Sequence, residues 1–171
     1  VITHPGAPSR QGEVVTIAPV LARHRPIARM SAAAHMDGGD VMLIGKRFFV
    51  GLSARTDAAG LREFANMVEP HGYEVIAIEV KDGLHLKSVV NYVGRNTVLL
   101  SAEAATHPAF AGYEHIIVNK EEEYAGNTLW INDTLITPTS YPDTLGKLQR
   151  LGMPVIELDT SENDPLRVYA N

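Results

Sequence analysis

The chain has 171 residues, of which 45% are hydrophobic, enough to form the packed core of one domain or of a large part of one. The formal net charge of -5, without any cluster of Lys and Arg, argues against a nucleic-acid partner. No cysteine is present, which excludes disulfides, zinc-thiolate sites and thiol catalysis by these residues, and no apolar run approaches the roughly 20 residues of a membrane span.

The pattern of the first 30 residues predicts the helix and last strand of a repeat unit whose beginning lies upstream. Their polar, turn-rich start has no secretory signal pattern, so we expect a cytoplasmic protein without membrane contact. Residues 1–3 resemble the end of a strand, residues 12–24 a helix and residues 27–30 a further strand. We therefore interpret the chain as a fragment.

Three later segments repeat the order strand, strand, helix, strand. In the first, residues 40–45 and 47–51 are β-rich runs separated by a Gly-Lys turn, and residues 57–69 show helical spacing of apolar side chains. Asp57 is suited to cap the start of this helix, and a β-branched strand follows at residues 73–80. This segment is therefore predicted to be a ββαβ unit.

The second and third segments follow the same order. A Gly-Arg-Asn turn and an Asn-Asp turn join their first two strands. The third helix begins with proline and stops before glycine, as helices commonly do. The second segment is predicted as strands at 88–92 and 97–100, a weaker helix at 102–110 and a strand at 114–118, and the third as strands at 128–131 and 134–137, a helix at 142–151 and a strand at 155–158.

Repeats of this kind predict an α/β propeller, with ββαβ units near residues 40–80, 88–119 and 127–159 arranged around a common axis. A single unit cannot bury its apolar faces alone, so the ring closes only when the last unit packs on the first. With about three and a half copies, we expect a partial ring with an open edge. An ordinary α/β sandwich with accidental periodicity is the alternative.

Two aspartates flank a Gly-Gly turn at residues 36–40, immediately before a predicted strand. The glycines allow a sharp turn and a close approach to a ligand. Asp37 could then bind a cation such as a guanidinium through paired, charge-assisted hydrogen bonds. From spacing alone, a turn whose aspartates only cap and solubilise is the simpler interpretation.

His85, Arg55 and Arg10 are further candidates for a site. His85 lies on a connector between Leu84 and Leu86. Histidine exchanges protons readily near neutral pH, although a histidine between apolar neighbours is more simply a structural residue. Arg55 follows a predicted strand and Arg10 lies in a Pro-Ser-Arg turn, so each is either a carboxylate clamp or a solvated loop arginine.

Five short motifs occur in an order that is typical of one family. They are Pro-Gly-Ala-Pro-Ser-Arg at 5–10, Met-Asp-Gly-Gly-Asp-Val at 36–41, Phe-Val-Gly-Leu-Ser-Ala-Arg-Thr at 49–56, Gly-Leu-His-Leu-Lys-Ser at 83–88, and Tyr-Ala-Gly-Asn at 124–127 with Trp-Ile-Asn at 130–132. In these motifs the chain resembles the dimethylargininases, guanidine-modifying hydrolases of the amidinotransferase superfamily. The resemblance implies a partial pentein-type α/β propeller domain over residues 1–162 and a divergent tail at 163–171.

The resemblance also implies a reaction, the hydrolysis of N-methylated arginine to citrulline and methylamine or dimethylamine. A cysteine thiolate would attack the guanidinium carbon and form a covalent thiouronium. His85 would protonate the leaving amine and then activate water, while Asp37 would hold and polarise the guanidinium. Arg55 and Arg10 would bind the substrate's α-carboxylate, and Leu84 is a further candidate for a substrate contact. No metal or organic cofactor is implied. The expected partner is this small guanidine substrate, and a homodimer is left open.

The nucleophilic cysteine of that family is absent from these residues, so we expect the chain to be inactive as written. Residues 163–171 match neither the family's Gly-Gly segment nor the cysteine that follows it. An arginine deiminase is an alternative, although Lys87 stands where deiminases carry an acidic residue, two positions after the histidine. A non-catalytic arginine-binding scaffold that lost its nucleophile is another.

Overall fold

Three small sheets share one topology in the described residues, 1–81 and 83–161 of this computed structural model. In each sheet the first two strands form an antiparallel hairpin, and the second strand pairs in parallel with the third. The strands are β1 Val41–Ile44, β2 Arg47–Leu52, β3 Glu74–Glu79, β4 Val90–Tyr92, β5 Thr97–Ser101, β6 Glu114–Val118, β7 Leu129–Ile131, β8 Thr134–Pro138 and β9 Val155–Leu158. The α-helices are α1 Glu13–Ala22, α2 Ala58–Val68, α3 Leu86–Val89 and α4 Pro142–Gln149.

These sheets confirm the predicted repeats and their bounds near residues 40–80, 88–119 and 127–159. The Asn-Asp hairpin turn has the positive φ angles of a type I′ turn, 49° at Asn132 and 56° at Asp133. Since the same topology recurs in each sheet, the periodicity of the sequence is not accidental. The arrangement of the units around a common axis stays a prediction.

The first of two compact units, Val1–Leu86, holds the first sheet together with α1 and α2. Asp57 caps α2 as predicted, because its side chain accepts a hydrogen bond from the Gly60 N–H at 2.6 Å. The core of this unit is built from the turn before β1, from β2 and from α2, through the buried side chains Met36, Val50, Phe64 and Val68. The turn that carries the candidate aspartates is thus anchored in the core by Met36.

The strand expected at residues 27–30 is reduced to a single bridge. Arg29 is bridged in parallel to Ile2, whose N–H donates to the Ala28 carbonyl at 2.8 Å and whose carbonyl accepts from the Met30 N–H at 3.0 Å. The segment at residues 1–3 supplies only Ile2 to the pairing, so no ladder forms. The prediction of a strand is wrong for this segment.

The second unit begins at Lys87 and contains the other two sheets. Its core gathers buried side chains from both sheets and from α4, namely Val93, Leu99, Val118, Ala125, Leu135, Leu148 and Met153. As predicted, α4 begins at Pro142, but it ends at Gln149, earlier than expected. Gly152 has a φ of 70°, the left-handed conformation typical of the residues that follow a helix.

Two predictions for the first sheet of this unit are wrong. The helix expected at residues 102–110 is replaced by two short 3-10 helices, Ala104–Thr106 and Pro108–Phe110. Proline disfavours helical backbone in the residue before it, and His107 is accordingly extended, with a ψ of 127°. The strand expected from residue 88 begins at Val90, because α3 occupies the residues before it.

No helix among the described residues is long and apolar enough to cross a membrane. Residue 162 and the predicted tail at 163–171 lie outside the residues that the structure describes. The prediction of one domain over residues 1–162 therefore stays a prediction.

Candidate active site

The Gly-Gly turn buries both of its aspartates just before β1. Asp37 precedes a 3-10 turn, Gly38–Asp40, and the chain then enters β1. Asp37 is 3% exposed and Asp40 is 0% exposed. The interpretation that these aspartates only cap and solubilise a turn is therefore wrong, since a buried carboxylate needs polar partners to offset the loss of water.

Hydrogen bonds from the N-terminal segment hold the Asp37 carboxylate. The Gly6 N–H donates to Oδ1 at 3.1 Å, and Arg10 Nη1 donates to Oδ2 at 3.0 Å. The Asp37 N–H donates to Thr56 Oγ1 at 3.1 Å. Asp37 thus already binds one guanidinium group, that of Arg10, through a charge-assisted hydrogen bond.

Asp40 accepts hydrogen bonds from the segment after β2 and from the start of α3. Thr56 Oγ1 and Ser53 Oγ donate to Oδ2 at 2.7 and 2.8 Å, and the Leu86 N–H donates to Oδ1 at 2.9 Å. His85 Nδ1 also lies 3.3 Å from Oδ2. Sequence reasoning missed Asp40, Ser53 and Thr56 as site residues, although Ser and Thr both lie in the motif at 49–56, which could have pointed to them.

His85 lies between the two carboxylates. Its Nε2 is 3.8 Å from Asp37 Oδ2 and its Nδ1 is 3.3 Å from Asp40 Oδ2, with the side chain 18% exposed. This confirms the predicted approach of His85 to Asp37. One ring nitrogen faces a fully buried carboxylate, and the other faces the carboxylate that binds a guanidinium.

The turn contains a glycine that His85 requires. A Cβ atom at Gly39 would lie 2.6 Å from both Cγ and Cδ2 of the His85 ring, well inside contact distance. A Cβ atom at Gly38 would meet nothing within 4 Å. Of the two glycines, Gly39 is therefore the one whose missing side chain makes room for the imidazole.

Arg10 links Asp37 to a glutamate at the start of α1. Arg10 Nε and Nη2 donate to the Glu13 carboxylate at 3.1 and 3.0 Å. The hydrogen bond and charge of Glu13, with a further contribution from Asp37, raise the pKa of Arg10 above its ordinary value, and Arg10 lowers the pKa of Glu13. Arg10 is therefore a paired cation beside Asp37 rather than an isolated loop arginine. Its predicted contact with a substrate carboxylate stays a prediction.

Hydrogen bonds and close contacts thus join a cluster of Arg10, Asp37, Asp40, Ser53, Thr56 and His85. Arg55 and Leu84 are the chain neighbours of Thr56 and His85. The Arg55 N–H donates to Ser53 Oγ at 3.0 Å, and a Cβ atom at Gly6 would lie 2.5 Å from the Arg55 carbonyl oxygen. In the part of the chain that the structure describes, no acidic side chain forms an ion pair with the Arg55 guanidinium. Leu84 is 55% exposed. The predicted substrate contacts of both residues stay predictions.

The family model described as arginine deiminase matches residues 6–110, more than half of the chain. The chain belongs to the arginine deiminase family. The matched residues include the aspartate turn, Arg10, Arg55 and His85, so the cluster lies wholly within the part of the chain that the family model matches.

Two curated relatives carry the name N(G),N(G)-dimethylarginine dimethylaminohydrolase. The one from Pseudomonas aeruginosa is 39% identical, over 95% of this chain and 65% of the relative. The one from Streptomyces coelicolor is 32% identical, over 96% of this chain and 64% of the relative. The resemblance to dimethylargininases is thus confirmed, and the chain spans slightly less than two thirds of the length of these relatives.

Solved structures confirm the fold. The dimethylarginine dimethylaminohydrolase of Pseudomonas aeruginosa, as a cysteine-to-serine mutant complexed with citrulline, is 39% identical with a TM-score of 0.92, over 95% of this chain and 64% of that chain. The N-terminal domain of a cyanobacterial arginine dihydrolase, bound to its product, is 18% identical with a TM-score of 0.81, over 94% of this chain and 63% of that chain, and supports the fold alone. The protein has the predicted pentein-type α/β fold, with the order ββαβ in the first and third repeats and two 3-10 helices in place of the helix of the second.

Proposed function

We propose that this protein forms part of a hydrolase that acts on N-methylated arginine. The reaction releases citrulline and methylamine or dimethylamine. The observation that carries the proposal is the position of His85 Nε2, 3.8 Å from the Asp37 carboxylate, which itself accepts a hydrogen bond from the guanidinium of Arg10. A group that exchanges protons thus lies beside a group that binds guanidinium. The names of the relatives, and the citrulline bound to one of them, support the same reaction.

In this proposal the substrate's guanidinium takes the place of Arg10 at Asp37. Asp37 holds and polarises the guanidinium, and His85 protonates the leaving amine before it activates water. Arg10, released from Asp37, binds the substrate's α-carboxylate together with Arg55. Leu84, which is exposed next to His85, offers an apolar contact to the substrate.

The proposed nucleophile is a cysteine thiolate, and these 171 residues contain no cysteine. We therefore expect the 171-residue chain alone to be inactive, because removing one member of a catalytic unit costs nearly all of its rate. No metal or organic cofactor takes part in the proposed reaction. A cytoplasmic location and a homodimer stay predictions.

A citrulline assay tests this function. One sample is the 171-residue chain, and the other is a chimera in which these residues replace the matching 65% of the Pseudomonas aeruginosa relative. We expect the chimera to release citrulline and dimethylamine from asymmetric dimethylarginine, and the chain alone to release none. His85→Gln in the chimera is expected to lower turnover by about 100-fold to 10,000-fold, the usual range for loss of general acid–base catalysis.

The matched control is His71→Gln, since His71 is an exposed histidine of the same unit. It is expected to leave turnover unchanged. Undiminished turnover in the His85→Gln chimera would contradict the proposed role of His85. A folded chimera that binds dimethylarginine but releases no citrulline would favour a non-catalytic arginine-binding scaffold.

Arginine itself is the alternative substrate, and the description of the family model favours it. Lys87, which stands two residues after His85 where deiminases carry an acidic residue, favours dimethylarginine instead. The ratio of kcat/KM values for the two substrates in the chimera decides between them. A higher value for arginine would refute the methylated substrate and keep the guanidine-modifying reaction.

A further inference from the structure

Asp40 has no role in the function proposed above, although it is the most deeply buried member of the cluster. We propose that Asp40 is a positioning residue, which keeps a proton on Nδ1 of His85 so that Nε2 is the nitrogen that exchanges protons with the substrate. The consequence for catalysis rests on the proposed function. The position of the proton on the ring can be measured without it.

Two hydroxyl groups donate hydrogen bonds to the Asp40 carboxylate. Thr56 Oγ1 accepts from the Asp37 N–H at 3.1 Å and lies 2.7 Å from Asp40 Oδ2. Ser53 Oγ accepts from the Arg55 N–H at 3.0 Å and lies 2.8 Å from the same oxygen. An ionised carboxylate has no proton to donate, so each of these hydroxyls directs its single proton to Asp40.

The imidazole therefore has to donate to Asp40 as well. An ionised carboxylate only accepts hydrogen bonds, and the oxygen 3.3 Å from His85 Nδ1 is the one that receives both hydroxyl protons. The contact is a hydrogen bond only if Nδ1 carries a proton. A neutral ring in this state has its lone pair on Nε2, the nitrogen 3.8 Å from Asp37 Oδ2.

The same carboxylate also fixes the backbone that carries the ring. Asp40 Oδ1 accepts the Leu86 N–H at 2.9 Å, immediately after His85 in the chain. On the other side, the ring packs against Gly39, where any Cβ atom would overlap it. Asp40 thus contacts the imidazole through one oxygen and the backbone next to His85 through the other. Gly39 limits rotation of the ring.

A proton fixed on Nδ1 suits both proposed proton transfers. When the C–N bond to the amine breaks, the departing nitrogen takes the proton from Nε2 of the imidazolium and leaves a neutral ring. Water then bonds through oxygen to the carbon of the thiouronium and gives one proton to Nε2. The thiolate leaves with its electron pair, and the second proton of the water passes to solvent as the urea group of citrulline forms. The imidazolium is restored and the Nδ1 proton has not moved, so Asp40 accepts the same hydrogen bond throughout.

The test is a long-range proton–nitrogen NMR correlation spectrum of the 15N-labelled 171-residue chain, recorded at alkaline pH, where imidazoles are neutral. The signals of His85 are identified by their loss in His85→Gln. We expect the proton of the neutral ring on Nδ1. A proton mainly on Nε2 would overturn the inference, and this result needs no other variant.

Asp40→Asn is the second measurement, with Asp37→Asn as the matched control in the same turn. We expect Asp40→Asn to shift the ring toward the form with the proton on Nε2, and Asp37→Asn to keep the proton on Nδ1. An unchanged ring in Asp40→Asn would show that Asp40 does not set the position of the proton. A proton on Nδ1 together with an inactive chimera would refute the proposed function alone, whereas a proton on Nε2 with an active chimera would refute only the role of Asp40.

Discussion

Each unit of the molecule contains a buried carboxylate that joins segments distant in sequence, Asp40 in the first and Glu122 in the second. Glu122 accepts the backbone N–H groups of Asp143 at 3.0 Å and Thr144 at 2.7 Å, at the start of α4. Asp40 accepts two hydroxyls and one backbone N–H, and it has an imidazole 3.3 Å away. Glu122 therefore caps a helix, whereas Asp40 faces a group that can exchange protons.

The position of Glu122 at the start of α4 lowers the pKa of its carboxyl group. Burial raises this pKa, but hydrogen bonds from Thr144 and from the Asp143 N–H outweigh burial and lower it below its ordinary value. The helix start thus stabilises the ionised carboxylate. Burial and several hydrogen bonds are common to both carboxylates, so they do not identify a catalytic site. An imidazole within hydrogen-bonding distance is what distinguishes Asp40.

Gly39→Ala is expected to have the largest effect, because it forces a methyl group into the His85 ring. We expect the free energy of unfolding to fall by about 1–3 kcal/mol, the usual range for overpacking. Gly38→Ala is the matched control, since a Cβ atom there meets nothing within 4 Å. Urea denaturation of the two variants measures the difference, and equal stabilities would show that the ring does not need the space at Gly39.

Glu122→Gln is expected to lower the free energy of unfolding at pH 7 by about 1–2 kcal/mol, because an amide can accept only one of the two N–H groups well. The pKa of Glu122 is depressed in the fold, so its stabilisation is complete above the ordinary carboxyl pKa of about 4.3 and declines as the pH falls through the folded value. The difference between the variant and the unchanged chain should shrink over that acidic range. Thermal melts from pH 7 to pH 3 measure it, with the exposed neighbour Glu123→Gln as control. A difference that does not depend on pH would contradict the cap.

Asp57→Ala is expected to have the smallest of these effects. It removes the N-cap of α2 and should lower the free energy of unfolding by about 1 kcal/mol. Asp57→Asn keeps an acceptor that caps nearly as well, so its free energy of unfolding should be close to that of the unchanged chain. Urea denaturation of both variants checks this. If the two variants were equally destabilised, the charge of Asp57 would matter more than its hydrogen bond.

The sequence predicts those features that depend on local chemistry. Asp57 as a helix cap, the Asn132 and Asp133 hairpin turn and the strand Val155–Leu158 all appear where their patterns place them. The helix expected at 102–110 fails because Pro108 acts on the conformation of its neighbour, which apolar spacing does not reveal.

The candidate site is predicted less completely than the fold. Asp37 and His85 are found through their motifs, and their approach is confirmed. The hydrogen bonds of Asp40 join residues 13 to 46 positions apart, and no local spacing encodes such pairings. The contact between Arg10 and Asp37 is missed for the same reason.

The most direct test of the central claim is the binding of asymmetric dimethylarginine to the 171-residue chain, measured by isothermal titration calorimetry. The claim is that the Asp37 carboxylate receives the substrate's guanidinium. A hydrogen bond to a charged group contributes about 1.5–3 kcal/mol, so Asp37→Asn should raise Kd by about tenfold or more. Asp57→Asn, a change of the same kind outside the cluster, should leave Kd unchanged. Equal affinity in the unchanged chain and in Asp37→Asn, or no binding by the unchanged chain, would contradict the account.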